Sequence, residues 1–372
     1  MAKKQKTKKR NGEGSIVWDE SRKKWRASIT VSDDDRPQKR FDTWDEADAW
    51  LTEIKNSVLK NTYIPADNIS VGQWIIQWLD VYKRPVIREN TFIRYKQIVA
   101  HAEPIANIRL QEITTPTIQD FLNNVDMSTN GKNKLYMRLS EAFAKAYSLR
   151  MLQYNPMLEV PFIAEPKPKI EIFNWFEIRK IIGKLSLPHT PAHLKRYYPL
   201  ILLALSTGMR MGEILGLQTK SLSLGHTELY VCNSLQDVAG KLKDCPPKTD
   251  AGYRTLPLLQ EVKKQLEWQL NRRKIICLDG SEYVFQTSKG TPMCPKNLNR
   301  AWHKILEYCD VPYKNFHVLR HTYATTMLEH VPVNEVAAKL GHADASYTLK
   351  LYGHEIPGYQ KTYLEKSEAL IS

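Results

Sequence analysis

Four prolines lie close together in the segment "NPMLEVPFIAEPKPKI", at positions Pro156, Pro161, Pro166 and Pro168. Proline has no backbone N–H and is not tolerated in a helix interior, so this segment predicts an extended linker. The chain has 372 residues. That length suits two or three domains of roughly 100 to 200 residues each. The linker therefore separates folding units, and the last unit is predicted to begin near Ile170.

The residues before the linker divide again by pattern. In "KWRASITV" the side chains alternate between two faces, which predicts a half-buried strand. The apolar face holds Trp25, Ala27, Ile29 and Val31, and the opposite face holds Lys24, Arg26, Ser28 and Thr30. Turn signals on both sides predict three short strands. Thr43 and Glu46 form a capping box, which predicts a helix that ends near residue 60.

Positive charge is concentrated around this first unit. The chain carries 54 Lys and Arg against 40 Asp and Glu, a formal net charge of +14, and residues 1–30 hold ten of the basic residues against three acidic ones. Such clustering is typical of nucleic-acid binding, although a solvated tail and a sheet made soluble by Lys and Arg are the alternatives. We expect DNA contacts from Lys24, Arg26, Ser28 and Thr30.

Residues 69–160 predict helices only. Several segments repeat apolar residues at i, i+3 and i+4, and the last and longest of them also carries basic residues. This pattern predicts a small helical bundle with a basic side, on which Lys132, Lys134 and Arg138 are candidate DNA contacts. The chain is thereby predicted to hold three domains, over residues 1–65, 66–165 and 166–372.

The third predicted domain mixes helices and strands. Helices are predicted over residues 175–185 and 197–205, and again from Gln260 onward. Between them, "ELYVCNSLQ", "YRTLPL" and "EYVFQT" predict strands. The first two flank the turn-rich segment "DVAGKLKDCPPKTDAG", which predicts a β-hairpin with a long, basic, mobile tip.

Composition argues against several classes of protein. The five cysteines are scattered and never spaced C-x-x-C, which argues against a disulfide framework and a zinc site and fits a reducing compartment. No apolar run approaches the roughly 18 residues of a membrane span, and no signal peptide is predicted. We expect a cytoplasmic protein that has no membrane partner.

The segment "LSTGMRMGEILGL" carries the first candidate for chemistry on a phosphodiester. Gly208 turns the chain, and Arg210 and Glu213 lie three residues apart on one side of a helix. A guanidinium among apolar residues is suited to a planar oxyanion partner. The alternative is a structural ion pair between Arg210 and Glu213.

Two further segments add basic side chains. In "PPKTDAGYRTLPL", Lys248 is a candidate general acid or phosphate contact, and a solvated lysine is the alternative. In "NFHVLRHTYATTML", His317 and Arg320 share a helix face. His321 lies on that side too and is interpreted as a packing or hydrogen-bonding histidine.

The segment "KLGHADASYTLKLYGHE" contains two tyrosines. Gly341 ends a helix before His342, and a short helix that carries Tyr347 and Tyr352 follows. Phenolic hydroxyls serve as covalent nucleophiles in some enzymes. The pattern alone leaves open whether either tyrosine does chemistry.

Taken together, these segments resemble the tyrosine recombinase (phage integrase) family. "TGMRMGEILGL" resembles the family's first arginine box, "HVLRHTYAT" is similar to its His-x-x-Arg box, and "LGHADASYTLKLYGH" is similar to its closing box. The family's nucleophilic tyrosine stands in that last box at the position of Tyr352, before a small residue and a histidine, here Gly353 and His354. This leaves Tyr347 as a packing residue. The family's lysine matches Lys248, with Lys241 and Lys243 as competitors.

The resemblance implies a multidomain fold. It implies an arm-type DNA-binding domain with a small three-stranded β-sheet and a helix, an all-α SAM-like core-binding domain, and a mixed, mainly α catalytic domain with a small β-sheet. The implied reaction is DNA cleavage and rejoining through a 3′-phosphotyrosyl link, without ATP or metal. The implied roles are phosphate clamps for Arg210 and Arg320, donors or proton carriers for His317 and His342, leaving-group acid for Lys248, orienting carboxylate for Glu213 and nucleophile for Tyr352.

The implied partners are double-stranded DNA at core and arm sites, a homotetramer on DNA, and a host DNA-bending factor or an excisionase. The tail "GYQKTYLEKSEALIS" reads as an amphipathic helix that packs on a neighbouring subunit or on its own domain. The resemblance further implies that the protein acts on a mobile genetic element, either a prophage or a conjugative transposon. The alternatives in function are a chromosome-dimer recombinase, a type IB topoisomerase and a catalytically silent DNA-binding regulator.

Overall fold

The computed structural model describes residues 13–32, 35–60, 63, 68–162, 170–276, 282–287 and 289–352. The chain divides into two compact units, Met1–Pro166 and Lys167–Ser372. In the described ranges, no helix is both long and apolar enough to cross a membrane. The basic tail at residues 1–12, the pair Gly353 and His354, and the C-terminal tail lie outside the described residues.

The first unit begins with an antiparallel sheet. Its strands, in spatial order, are β1 (Ser15–Asp19), β2 (Lys24–Ser28) and β3 (Gln38–Phe41). Trp25 pairs with an aromatic residue on each neighbouring strand, and Ala27 is fully buried. Helix α1 (Trp44–Leu59) begins at the predicted capping box and packs on β2. The three strands and the helix are confirmed, whereas Thr30 lies beyond the end of β2.

The rest of the first unit is helical in its described part, as predicted. Its α-helices are α2 (Val71–Trp78), α3 (Glu89–Val99), α4 (Thr115–Asn124) and α5 (Thr129–Ser148). Their apolar faces share one core, to which α2 contributes Trp74 and α5 contributes Leu139. Trp74 donates its indole N–H to the carbonyl of Ala142 across 2.9 Å. This bond satisfies the polar atom of a fully buried aromatic ring.

The second unit is built around one apolar helix. Its helices are α6 (Trp175–Ser186), α7 (Ala192–Lys195), α8 (Tyr198–Thr207), α9 (Met211–Leu215), α10 (Gln260–Ile276), α11 (Pro295–Cys309), α12 (Val318–Leu328), α13 (Val333–Leu340) and α14 (Ala345–Tyr352). Helix α8 buries Leu200, Ile201 and Leu203 completely. A helix that is apolar on all sides lies inside a domain. Its C-terminal end therefore places Gly208 and Met209 in the interior and Arg210 at its edge.

The strands of the second unit form separate pairs. They are β4 (Glu228–Val231), β5 (Ser234–Val238), β6 (Lys241–Cys245) and β7 (Arg254–Pro257). β4 pairs with β7, as predicted for strands that flank the turn-rich segment. The prediction of a long tip is wrong in part, because β6 lies within that segment and pairs with β5, which begins in the predicted strand before it. Ala239 and Gly240 both have positive φ, which suits a tight hairpin turn.

The predicted strand "EYVFQT" is wrong. The described part of this segment makes isolated bridges only, between Gln218 and Tyr283 and between Gln286 and Pro292. Val284 and Phe285 are fully buried in the core of the second unit. The apolar pattern therefore reflects core packing, which a short run of residues does not distinguish from a strand.

Candidate active site

The C-terminal end of α8 positions the first arginine of the site. Gly208 ends the helix in the left-handed conformation with a φ of 62°. A Cβ atom there would lie 2.3 Å from the ring of Tyr323. Glycine meets both demands, since it adopts positive φ without strain and has no side chain. The turn places Arg210 at the N-cap of α9.

Arg210 and Glu213 form a close ion pair. Nη1 of Arg210 donates to Oε1 of Glu213 across 2.8 Å, and the backbone N–H of Arg210 donates to Oε2 across 3.0 Å. The Glu213 side chain is 5% exposed, whereas the Arg210 side chain is 41% exposed. The ion pair expected as the alternative is present, and it still leaves part of the Arg210 guanidinium open to solvent.

A second arginine holds the other side of Glu213. Nη2 of Arg254, at the start of β7, donates to Oε2 of Glu213 across 2.8 Å. Nε of Arg254 donates to the carbonyl of Lys339 across 2.6 Å, and Nη1 donates to that of Gly252 across 3.1 Å. Burial raises the pKa of Glu213, but the charges and hydrogen bonds of Arg254 and Arg210 outweigh burial and hold this pKa below its ordinary value. The carboxylate is therefore ionised.

Arg320 on α12 lies at the centre of the site and is 3% exposed. Nη1 donates to the carbonyl of Gly208 across 2.8 Å. Nη2 lies 2.9 Å from the carbonyl of Leu340 and 2.7 Å from Nε2 of His342. Three of the five N–H groups of this guanidinium are thereby used inside the protein. Burial and then the charge of Arg210 lower the pKa of Arg320 to about 10, so the group stays charged at neutral pH.

Hydrogen bonds determine the tautomer of His342. Arginine only donates, so Nε2 of His342 accepts from Arg320, and Nδ1 carries the proton that it donates to Oγ1 of Thr348 across 2.7 Å. Burial and the charge of Arg320 lower the pKa of His342 to about 4. Tyr347 is 55% exposed, and its ring centroid lies 5.1 Å from that of His342. The imidazole is therefore neutral and held between an arginine and α14.

Two further histidines lie one turn apart at the start of α12. The rings of His317 and His321 make an edge-to-face contact with centroids 4.8 Å apart. Desolvation, followed by the charges of His321 and Arg320, lowers the pKa of His317 to about 4. Desolvation and Arg320 also lower the pKa of His321. Both rings are therefore mainly neutral at physiological pH.

Tyr352 at the end of α14 is 1% exposed and belongs to the apolar cluster formed by α12, α13 and α14. Its hydroxyl lies 2.8 Å from Nδ1 of His321. Burial raises the pKa of Tyr352 to about 12, although Arg320 and Arg210 act to lower it. The phenol therefore keeps its proton, and it donates to Nδ1 when the proton of the neutral His321 ring is on Nε2.

Lys248 lies on the exposed loop between β6 and the 3₁₀ turn Asp250–Gly252. The backbone of this loop reaches the site. The carbonyl of Gly252 accepts a hydrogen bond from Arg254, and a Cβ atom on Gly341 would lie 3.0 Å from the carbonyl oxygen of Ala251. The competing candidates Lys241 and Lys243 stand on β6 itself.

On the sheet of the first unit, the predicted DNA contacts lie on the face opposite the fully buried Ala27. Lys24 pairs with Asp42 across 3.0 Å, and both side chains are exposed. Arg26 is exposed and stands directly opposite Arg40 of β3. Ser28 lies on this same face at the end of β2. Arg40, which the sequence prediction did not include, thus extends the basic face.

On α5, the predicted DNA contacts differ in exposure. Lys134 is exposed, and Nζ of Lys132 donates to a backbone carbonyl across 2.7 Å. The Arg138 side chain is only 12% exposed and pairs with Glu141 across 2.8 Å. Its guanidinium also lies 4.2 Å from the ring centroid of Tyr95. This geometry favours a packing role for Arg138 and leaves Lys134 as the more accessible candidate.

Three side chains of the site were not predicted as part of it. Arg254 and Leu256 are the buried positions of β7, so the signal for Arg254 was an arginine in the inward register of a strand. His321 follows His317 at helical spacing, but nothing local indicated that its partner would be Tyr352. Thr348, fully buried behind His342, gave no signal at all.

Comparisons with known proteins agree with these observations. The Phage integrase family matches residues 176–357, and the phage integrase N-terminal SAM-like domain matches residues 70–125. The chain is 29% identical to the "Tyrosine recombinase XerC-like" of Caldanaerobacter subterraneus, over 91% of this chain and 94% of that protein. It is 27% identical to the ICEBs1 integrase of Bacillus subtilis, over 70% and 72% of the two chains.

Two solved structures of similar fold are complexes with DNA. The Tn1549 transposon integrase with a circular intermediate DNA has a TM-score of 0.68 at 18% identity, over 80% of this chain and 99% of that one. A lambda integrase dimer bound to a core site has a TM-score of 0.57 at 18% identity, over 75% and 97%. Each likeness covers nearly the whole length of the solved chain.

Proposed function

The chain belongs to the phage integrase family of tyrosine recombinases, and from this premise we propose which residues carry out its reaction. It has the tyrosine recombinase fold and is a site-specific DNA recombinase of the integrase type. In the proposed reaction, the Tyr352 hydroxyl attacks a DNA phosphodiester. The bond from phosphorus to the phenolic oxygen forms as the bond to the 5′-oxygen breaks, which leaves a 3′-phosphotyrosyl link for rejoining to another strand.

One observation carries this proposal, the meeting of Arg210, Arg320 and His342 beside Tyr352. Nη2 of Arg320 contacts His342, and Nη2 of Arg210 lies 3.4 Å from the carbonyl of Gly341. Negative charge builds on the nonbridging phosphate oxygens in the transition state, and fixed cationic donors stabilise it most effectively. Arg210 is the accessible clamp, while Arg320 offers the N–H groups that the protein leaves unused. Glu213 orients Arg210 through their ion pair.

Lys248 is proposed as the acid that protonates the departing 5′-oxygen. Its loop is exposed, and the backbone of that loop lies against Arg254 and Gly341. A lysine on an exposed loop beside the arginines can approach a bound phosphate from outside the protein. His317, at the solvent edge of α12, is proposed as a further donor to the phosphate.

The proposed partner is double-stranded DNA, bound at core sites by the helical part of the first unit together with the second unit. The exposed basic face around Lys24, Arg26 and Ser28 is proposed to bind separate arm sites. The proposal includes the three predicted domains, with boundaries between residues 65 and 66 and between residues 165 and 166. The lambda integrase is known as a tetramer on a Holliday junction, and we propose the same assembly here. A host DNA-bending factor or an excisionase is proposed as a further partner. The proposed location is the nucleoid in the cytoplasm.

Integration and excision of a prophage or a conjugative transposon is the proposed biological role, because the relatives of this chain include a probable prophage integrase and a transposase from a transposon. A chromosome-dimer recombinase and a type IB topoisomerase share the chemistry but do not need a basic arm-binding unit. A silent regulator does not need the full set of catalytic side chains.

The test is a nicked duplex that carries the junction between the element and its chromosome, so that cleavage releases a short strand and traps the covalent intermediate. Wild type, Tyr352→Phe and the matched control Tyr347→Phe are compared on denaturing protein gels, with DNA affinity measured in parallel. We expect covalent complex from wild type and Tyr347→Phe, and DNA binding alone from Tyr352→Phe. A covalent complex from Tyr352→Phe would assign the nucleophile elsewhere.

A further inference from the structure

The hydroxyl of Tyr352 has a partner that the roles above do not use. Nδ1 of His321 lies 2.8 Å from this hydroxyl, and the two ring centroids are 5.6 Å apart. We propose that His321 accepts the proton of Tyr352 during DNA cleavage and returns it during rejoining. The proposal rests on the assignment of Tyr352 as the nucleophile.

The other two histidines of the site are less suited to this task. His342 has both ring nitrogens engaged, one by Arg320 and the other by Thr348. His317 contacts the ring of His321 rather than the phenol. Among the residues that the structure describes, His321 is the hydrogen-bond partner of the Tyr352 hydroxyl. A general base has to lie within hydrogen-bond reach of the proton it removes, and His321 meets this condition.

The surroundings of His321 keep it neutral and therefore able to accept a proton. The titratable or charged groups that touch it or act on it are His317 and Arg320 of α12 and Tyr352 of α14. Three further groups act on these in turn, Arg210 on His317, His342 on Arg320 and Tyr347 on Tyr352. Helix α8 carries no charged side chain, and the two on α13, Glu335 and Lys339, are exposed. Desolvation and the charge of Arg320 lower the pKa of His321. The same positive charge favours return of the proton in the second step.

The proton moves together with the bond to phosphorus. With a pKa of about 12, Tyr352 does not give its proton to a neutral imidazole in the resting protein. As the phenolic oxygen bonds to phosphorus, its O–H bond breaks and an N–H bond forms on Nδ1, while the 5′-oxygen leaves with a proton from Lys248. Rejoining reverses each step. Because Tyr352 is 1% exposed, the proposal requires that its hydroxyl keep the contact with His321 when DNA reaches it.

The decisive variant is His321→Asn, because the Asn amide oxygen can take the hydrogen-bonding place of Nδ1 but cannot accept a proton. Cleavage is followed as single-turnover formation of the covalent complex on the nicked duplex between pH 5 and pH 9. We expect the variant to bind DNA and melt like wild type, to cleave about 10²- to 10⁴-fold more slowly, and to lose the rise in rate with pH that neutralisation of His321 causes. The matched control is His330→Asn, an exposed histidine of the same unit, which should behave as wild type.

A second variant covers the case in which His321→Asn binds DNA poorly or melts early. His321→Ala removes the ring, and added imidazole can then supply the base. Recovery of cleavage by imidazole supports the proposal, and no recovery overturns it. A wild-type rate and pH profile in His321→Asn would reduce the contact to packing, and a faster rate would show that the contact only holds the nucleophile back. Absence of any covalent complex from wild type would instead overturn the proposed function, and this inference with it.

Discussion

Replacement of Arg254 by methionine tests whether the buried ion cluster holds the second unit together. The side chains of Arg254 and Glu213 are 6% and 5% exposed, and Arg254 makes hydrogen bonds to Glu213, Lys339 and Gly252. Removal of one partner of a buried pair costs about 3 to 5 kcal/mol, since the remaining charge stays out of water. Glu213 keeps Arg210 as a partner, so we expect the lower value, about 3 kcal/mol. For a unit of this size, that loss lowers the melting temperature by about 6 to 12 °C.

The assay is scanning calorimetry of the full chain, supported by urea unfolding at pH 7 and pH 4. In wild type, the pKa of Glu213 is lower in the folded state than its ordinary value of 4.5. Ionised Glu213 therefore stabilises the folded protein at pH values above 4.5. This stabilisation is lost as the pH falls through the lower pKa that Glu213 has in the folded state. Arg254→Met should lose most of this pH dependence together with its stability at pH 7.

The matched control is Lys180→Met, which removes an ion pair with Asp310 whose side chains are 51% and 82% exposed. An exposed pair contributes about 0 to 1 kcal/mol, so this variant should melt close to wild type. Equal melting temperatures for Arg254→Met and Lys180→Met would refute the reasoning, because burial would then make no difference to the value of the pair.

Three further predictions concern the site itself. Arg210→Ala and Arg320→Ala should each slow formation of the covalent complex by about 10²- to 10³-fold, as loss of a transition-state donor does, and unchanged rates would remove their role as clamps. Lys248→Ala should cleave normal DNA more slowly than wild type. The same variant should cleave a substrate whose leaving 5′-oxygen is replaced by sulfur, because the sulfur departs without a proton. The control Lys243→Ala should cleave both substrates normally. Gly208→Ala should lower the free energy of unfolding by more than about 1 kcal/mol, because φ is 62° at this position and a Cβ atom would collide with Tyr323. An unchanged free energy in urea unfolding would contradict this steric argument.

Local signals predicted the elements that depend on neighbouring residues. The capping box at Thr43 and Glu46 starts α1, and the glycines at 208 and 341 end α8 and α13 in the left-handed conformation. In strand β2 of the first unit, exposed Arg26 is followed by buried Ala27, as the predicted alternation of faces requires. These features were predictable because the groups that satisfy each helix end or strand face lie within a few residues.

The failures arose where burial, rather than local preference, determined the conformation. The segment with Val284 and Phe285 is apolar because it lies in the core, not because it pairs in a sheet. The segment 237–252 was predicted as a long tip because it is rich in turn residues, yet it contains β6, which pairs with β5. A short sequence window does not separate these cases.

By itself, the sequence determined which side chains could take part and their spacing along each helix, as in the Arg210 and Glu213 pair and in His317 and Arg320 one turn apart. Only the tertiary structure decided the partners that lie far apart along the chain. Arg254 meets Glu213 across 41 positions, Tyr352 meets His321 across 31, and His342 meets Arg320 across 22. The physical reason is that spacing within a helix follows from backbone geometry, whereas these contacts depend on how α8 and α12 pack in one core and how α12, α13 and α14 pack in a second.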